Sequence, residues 1–337
     1  MCADGGVMTS LLVRRLRARC LARARVLWPS RFIRRIVLRR GGSVGEAILA
    51  TPALRGLRFR YPDAWIVFET PFPELFELNP FVNEAGRAVA PREDDLVASL
   101  SYEDLLPLRE SIADVFCRCA GVPPQGRALD LFFSLEEQRG MLRRFEALRR
   151  PVVTIHPWPG GSIRPAGWPM DRWAQVVGRS RKHAQATVVQ LGLGDEPPVP
   201  GAVDWRGQTT LREAALAIRY AQLHLAGNAS SGPMAHAVGT PAVVLRGPAH
   251  PGGPEYSEHV VLDAGHAALR TRRSADSPSA IHVDDVVRAV YRMLRRQSPQ
   301  EWRSRIPAPG SRRHARPEPA EAGHLQRAAR ETWRDGP

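Results

Sequence analysis

The chain has 337 residues, room for two domains of ordinary size, and its 43% hydrophobic content and 8 Trp are those of a folded globular protein. Its formal charge of +14 is nearly all arginine, since Lys182 is the sole lysine, and no helix-turn-helix, zinc-finger or RNA-binding signature accompanies it, so no nucleic-acid partner is expected. No apolar run approaches the length of about eighteen residues that a membrane span needs, and Cys2, Cys20 and the tight pair Cys117-Arg118-Cys119 lack metal-ligand spacing, which makes reduced thiols, no metal and a cytoplasmic location the expectation.

Eleven arginines fall within residues 14–40. Among them residues 10–28 read as a basic amphipathic helix, with Leu12, Leu16, Cys20, Ala24 and Leu27 on one face and Pro29 ending it. Such a helix suits an anionic membrane surface, which would make the protein peripheral on the inner face of the membrane. A solvated extension or a helix packed on the body is the simpler alternative.

Ile36-Val37-Leu38 reads as a first strand, followed by the loop Gly41-Gly42-Ser43-Val44-Gly45-Glu46 and an apolar segment from Ala47 to Leu57. Trp65-Ile66-Val67-Phe68 is a second strand, and Phe81-Val82-Asn83 with Ala88-Val89-Ala90 marks a further short strand region. One helix is expected over Glu103–Gly121 despite Pro107, and another over Glu136–Arg149 with Met141, Leu142, Phe145 and Leu148 buried. Arg149-Arg150-Pro151 is the expected boundary.

Val152–Ile155 opens the second half as a strand, His156–Ser162 is its loop, and Trp168-Pro169-Met170 begins a helix. Thr187–Leu191 is the next strand, ending in Gly192-Leu193-Gly194-Asp195-Glu196. A helix over Leu211–Tyr220 is entered through Thr210, with Glu213 as its capping-box partner. Leu223–Ala226 and Ala242–Leu245 are strands around the small-residue turn Gly227–Pro233, and Val283–Arg295 is a last amphipathic helix. Strand–helix alternation in both halves predicts an α/β protein with two parallel sheets. The expected organisation is a basic extension (1–32), an N-terminal domain (33–149), a C-terminal domain (150–297) and a disordered Arg/Pro-rich tail (298–337).

Two strand–loop–helix junctions carry the chemistry. Strand, small-residue turn and helix together aim unpaired amides and a helix N-terminus at one point, which suits a diphosphate; close helix–sheet packing without a ligand is the other reading. Ser162, Ser230, Ser231 and Gly232 supply hydroxyls and amides, Arg164 supplies a cation, and Glu196 stands at a strand's carboxyl end where ribose hydroxyls are commonly bound. Glu46 is the only acid in the first loop and so the candidate general base. Glu46 as a helix N-terminal acid, and Trp168 and Trp173 as core residues, are the structural alternatives.

With these residues in view, the chain resembles glycosyltransferase family 9, the heptosyltransferase-like enzymes. Val44-Gly45-Glu46-Ala47-Ile48-Leu49-Ala50-Thr51-Pro52-Ala53-Leu54 looks like the family's Gly-Asp-x-x-Leu-x-Thr-Pro-x-Leu opening. Ile155-His156-Pro157 through Trp168-Pro169 is similar to its His-Pro-Gly segment leading to Lys-x-Trp-Pro. Gly227-Asn228-Ala229-Ser230-Ser231-Gly232-Pro233-Met234-Ala235-His236 with Gly239-Thr240-Pro241 is similar to its Gly-Asn-Asp-Ser-Gly-Pro-Met-His and Gly-Thr-Pro stretch. Gly194-Asp195-Glu196 and Gly207–Glu213 are lesser matches.

The resemblance implies a GT-B fold, two Rossmann-like domains with parallel sheets facing a central cleft. It implies no metal or other cofactor, a nucleotide-sugar donor (an ADP-heptose in most of the family), and a glycan or lipid-linked acceptor of the lipopolysaccharide kind. Glu46 then takes the catalytic role. Ser43, Gly45, Thr51, Ser162, Arg164, Trp168, Glu196, Asn228, Ser230, Ser231, Gly232, Pro233, Met234 and His236 take the substrate-binding ones.

The chain departs from the pattern in four places. Glu46 stands where the family has Asp, Ala166 where it has Lys before Trp-Pro, and Ala229 or Asn228 where it has an acid. His236 falls near the family's histidine position rather than on it. Two functions of different class follow: a retuned glycosyltransferase, or a catalytically silent relative that binds a nucleotide sugar or glycan as a partner subunit.

Overall fold

The computed structural model describes residues 33–103, 110–157, 168–227, 231–246, 256–264 and 280–297. The expected helix 10–28, the tail, and the sites Ser162, Arg164, Asn228 and Ser230 lie outside them.

The first half is built on β1 (Arg35–Arg39), β2 (Trp65–Glu69), β3 (Glu84–Gly86) and β4 (Leu96–Ser99). All pair in parallel in the order β3-β2-β1-β4. The middle residues of β1 and β2 are buried, as a parallel sheet covered on both faces requires, which is why they read as unbroken apolar runs. The helices are α1 (Val44–Leu49), α2 (Thr51–Arg60), α3 (Ile112–Ala120) and α4 (Leu135–Glu146), with a 3₁₀ turn at Pro73–Phe76.

Three expectations shift here. The region Phe81–Ala90 holds one short strand, β3, between the two tripeptides expected to be extended. β4 was not foreseen. The helix expected to start at Glu103 begins at Ile112, because the Ser111 side chain accepts the Asp114 amide and caps it there; residues 104–109 are not among those described.

The second half carries β5 (Val152–His156), β6 (Thr187–Gln190), β7 (Val203–Asp204), β8 (Leu223–Ala226), β9 (Ala242–Arg246) and β10 (His259–Asp263). All are parallel, in the order β10-β9-β8-β5-β6-β7. Counted from β5 this is the doubly wound Rossmann order, with its reversal between β5 and β8. α5 (Met170–Ala184) and α8 (Val283–Arg296) cover one face through Trp173, Val176, Val177, Val286 and Val290. α6 (Leu211–Tyr220) and α7 (Gly232–Ala237) cover the other, and their buried residues share one continuous core with the first sheet.

α4 precedes the expected boundary but packs on α6. Phe145 meets Trp205 and Tyr220 edge-on at 5.6 and 6.1 Å. Arg212 on α6 fastens the junction further. It donates twice to Glu137 (2.5 and 2.9 Å) and once each to the Glu74 and Phe132 carbonyls. The capping box expected at the start of α6 is present, with Thr210 and Glu213 exchanging side-chain-to-backbone bonds.

Candidate functional site

A cleft of about 570 Å³ lies between the carboxyl ends of the two sheets. Ser43 and Val44 after β1, Phe72 and Glu74 after β2, and Arg87 after β3 line one side. His156 after β5, Leu191 to Leu193 and Glu196 after β6, Thr209 to Leu211 entering α6, and Ser231 with Met234 line the other. Ligands of open α/β sheets bind at such a place because loops and helix N-termini converge there.

On the second sheet, Gly227 lets the end of β8 approach β5. Its amide donates to the His156 carbonyl at 2.8 Å, and a Cβ there would stand 2.2 Å from the Pro157 carbonyl oxygen. Ser231, at the start of α7, is held from beneath. Its hydroxyl lies 2.9 Å from His224 Nε2, and His224 Nδ1 lies 3.0 Å from the Thr154 hydroxyl. His224 is fully buried; burial, with the nearby charges of His156 and His259, pushes its pKa down to about 3. The ring is therefore a neutral spacer that orients Ser231.

Glu196 is 6% exposed. One carboxylate oxygen is 3.8 Å from His156 Nε2, and the other, Oε2, is buried without a hydrogen-bond partner. Gly192, at φ +142°, makes room for it, since a Cβ there would sit 2.0 Å from Oε2. A buried carboxylate oxygen with no donor is costly unless a ligand supplies one.

On the first sheet, Glu46 closes a capping box with Ser43. Its Oε2 accepts the Ser43 amide at 2.7 Å, while Oε1 accepts Arg40 at 2.7 Å and the Tyr102 hydroxyl at 2.5 Å. Burial pushes this carboxyl up, but the Tyr102 hydroxyl, the Ser43 amide and Arg40 together hold it below the ordinary glutamate value. Burial and the bond to Glu46 raise the Tyr102 phenol in turn. Arg40 also donates to the Leu100 carbonyl and to Glu103, so the cluster sits where the first sheet reverses, between β1 and β4.

Of the residues expected to contact substrate, Ser43, Glu196, Ser231 and Met234 line the cleft. Gly45 is buried in α1, and Gly232 and Pro233 form the buried first turn of α7. Glu46 stands beside the cleft rather than in its lining.

Three residues point elsewhere. Thr51 is wholly buried, donating to the Ile48 carbonyl and accepting the Asp130 amide, so it ties α2 to the chain near Asp130. Trp168 is a core residue, edge-on to Trp173 at 5.4 Å, with its indole N–H on the Ile281 carbonyl. His236 faces Glu258 and the Arg127 carbonyl and stacks on Tyr256. Sequence reasoning missed Phe72, Glu74 and Arg87, because nothing local marks a loop after β2 or β3 as facing a second domain. It also missed Tyr102 and Glu103, which become legible only once β4 is recognised.

Two Rossmann-like parallel sheets with a cleft at their carboxyl ends define a GT-B architecture. Solved structures with this fold include a glycosyltransferase family 9 protein from Veillonella parvula (TM-score 0.63, 17% identity, covering 78% of this chain and 98% of that one). They also include the ADP-heptose lipopolysaccharide heptosyltransferase II of E. coli (0.58, 18%, 78% and 98%). The E. coli heptosyltransferase WaaC with ADP-2-deoxy-2-fluoro heptose is a third (0.53, 10%, 77% and 99%). The chain thus resembles family 9 in fold as well as in its motifs. No protein-family model and no curated protein sequence matches the chain.

Proposed function

We propose that the protein is a glycosyltransferase that takes a nucleotide-diphosphate sugar, an ADP-linked heptose or similar sugar, and transfers the sugar to a hydroxyl of a glycan or lipid-linked acceptor. The observation that carries the reading is Glu196, whose buried and unpartnered Oε2 lies on the wall of a cleft flanked by both sheets. Ribose hydroxyls would supply the missing donors. Leu193, 62% exposed at the same loop, offers apolar surface to the base. Ser231 and the first turn of α7 face the diphosphate, and Arg87 is a cation on the opposite wall.

In the transfer, the acceptor hydroxyl loses its proton to a carboxylate and its oxygen attacks the anomeric carbon. The bond to the diphosphate oxygen breaks, and the nucleoside diphosphate leaves with that electron pair. Glu46 is the carboxylate we assign to this proton, because its environment keeps it ionised at neutral pH. Family 9 likeness supports a reaction without a metal and a role in lipopolysaccharide biosynthesis at the cytoplasmic face of a membrane. Among the described residues no helix is long and apolar enough to cross one.

A second reading rests on one observation. All the bonds at Glu46 are satisfied within the protein, by Ser43, Arg40 and Tyr102, as they would be in a silent relative that only binds the nucleotide sugar. Thermal stabilisation by ADP and ADP-sugars, followed by donor hydrolysis in wild type and Glu46→Gln, separates the two. Stabilisation with turnover in wild type and its loss in Glu46→Gln supports the enzyme. Stabilisation with no turnover in either protein leaves the binding role, and no stabilisation by any nucleotide sinks both. Sedimentation with anionic vesicles, before and after deletion of residues 1–30, tests the membrane surface; equal sedimentation rejects it.

A further inference from the structure

We infer that His236, Glu258 and His259 form a binding site for a divalent transition-metal ion, with zinc the ion their donor set fits best. One ligand atom from each of the three lies within 4.8 Å of those of the other two. His236 comes from α7, and Glu258 and His259 from the entry to β10. A separation of 22 residues between His236 and Glu258 hides the cluster from any spacing motif.

The hydrogen bonds around the cluster fix which atoms face inward. His236 Nε2 lies 2.8 Å from the Arg127 carbonyl oxygen, so that nitrogen must carry a proton and donate. In the neutral ring Nδ1 is then a lone-pair acceptor, and it is in contact with Glu258 Oε1, another acceptor. His259 hydrogen-bonds to the Thr240 backbone, and its Nε2 is buried with no partner. Three acceptors therefore converge, and a cation is the partner that satisfies all of them. Protonating His236 would explain its contact with Glu258 but would still leave His259 Nε2 buried and bare.

The surroundings are those of a built site. His236 has its other nitrogen on the Arg127 carbonyl and His259 hydrogen-bonds to the Thr240 backbone, the outer-shell kind of partner that orients metal-ligating histidines. Tyr256 stacks on His236 with ring centroids 3.5 Å apart and meets His259 edge-on at 5.1 Å, fixing both rings. Two imidazoles and one carboxylate match zinc's preference for nitrogen and oxygen donors, with water completing the coordination. The site does not line the donor cleft. A bound ion would join the end of α7, the start of β10 and the Arg127 loop of the first half, and so hold the helix whose N-terminus carries Ser231.

The test uses the untagged full-length chain, stripped with EDTA and titrated with Zn²⁺ against a chromophoric chelator. A single equivalent should bind. His259→Gln and Glu258→Gln should each weaken binding by more than about a hundredfold, beyond what loss of an outer-shell partner costs. His282→Gln, at the entry to α8, should leave it unchanged. No zinc uptake, or equal uptake by wild type and the two ligand variants, overturns the inference. If a variant does not fold by circular dichroism, zinc-edge X-ray absorption of the loaded wild type decides. A shell of two imidazoles and oxygen supports the site, and a sulfur-containing shell overturns it.

Discussion

Replacing Arg212 by Met should destabilise the protein while leaving the cleft lining in place. The guanidinium is 7% exposed and forms a two-pronged pair with Glu137, whose side chain is 27% exposed. It also serves the Glu74 and Phe132 carbonyls and lies 5.3 Å from the Phe133 ring centroid. Removing one member of a buried pair costs about 3–5 kcal/mol. Glu137 retains contact with water and its bond to the Ser134 amide, so solvent screening brings the cost to the bottom of that range or just under it, about 2–3 kcal/mol. For a chain of 337 residues that lowers Tm by roughly 3–4 °C.

The pH dependence is a second handle on the same residue. Burial pushes the Glu137 carboxyl up, but Arg212 and the Ser134 cap hold it below the ordinary value in the folded state. A depressed carboxylate contributes stability above its unfolded pKa and loses it as pH falls through the folded one. The gap between wild type and Arg212→Met should therefore be constant near neutrality and close below the ordinary glutamate range. Urea unfolding at pH 7 and at stepped acidic pH measures both quantities. A loss under about 1 kcal/mol at pH 7, or a gap that widens in acid, would refute the assignment of Arg212 as the fastening between the halves.

Gly192→Ala should move the Glu196 carboxylate, because the new Cβ would meet Oε2 at 2.0 Å. Calorimetric affinity for ADP should fall at least about tenfold, against a stability cost of about 1–3 kcal/mol for the strained φ; unchanged affinity would remove Glu196 from the donor site. His224, with a pKa pushed down to about 3, takes up its proton in the unfolded chain before the folded one, so stability should fall as pH drops from about 6.5 towards 3. His224→Asn should reduce that slope by about 1.4 kcal/mol per pH unit, and an identical slope in the variant would contradict the neutral spacer. Trp168→Phe, which loses the bond to the Ile281 carbonyl, should cost about 1 kcal/mol in stability and leave ADP affinity unchanged. A loss of affinity with stability intact would return Trp168 to the site.

Much of the fold was legible because its signals are local. Ile36-Val37-Leu38 and Val152-Val153-Thr154-Ile155 are buried on both faces and so read as unbroken apolar runs, and Thr210 with Glu213 announces a helix entry through a reciprocal bond three residues long. Short strands that borrow their stability from neighbours gave no such signal. β4 lies along β1 over four residues, and β7 along β6 over two, and only pairing makes them strands.

Of the site, the sequence by itself determined the two glycine-rich turns, the acid Glu196 at a strand's end, and Glu46 at a helix entry. Tertiary structure decided which way side chains point. It turned Thr51 and Trp168 into the core, set Arg40 and Tyr102 on Glu46, and brought Phe72 and Arg87 across the cleft. It also gathered His236, Glu258 and His259 around one point. Backbone preference depends on near neighbours in the chain, whereas the partner of a side chain is set by how helices and sheets pack, and that packing joins residues with no shared period or spacing.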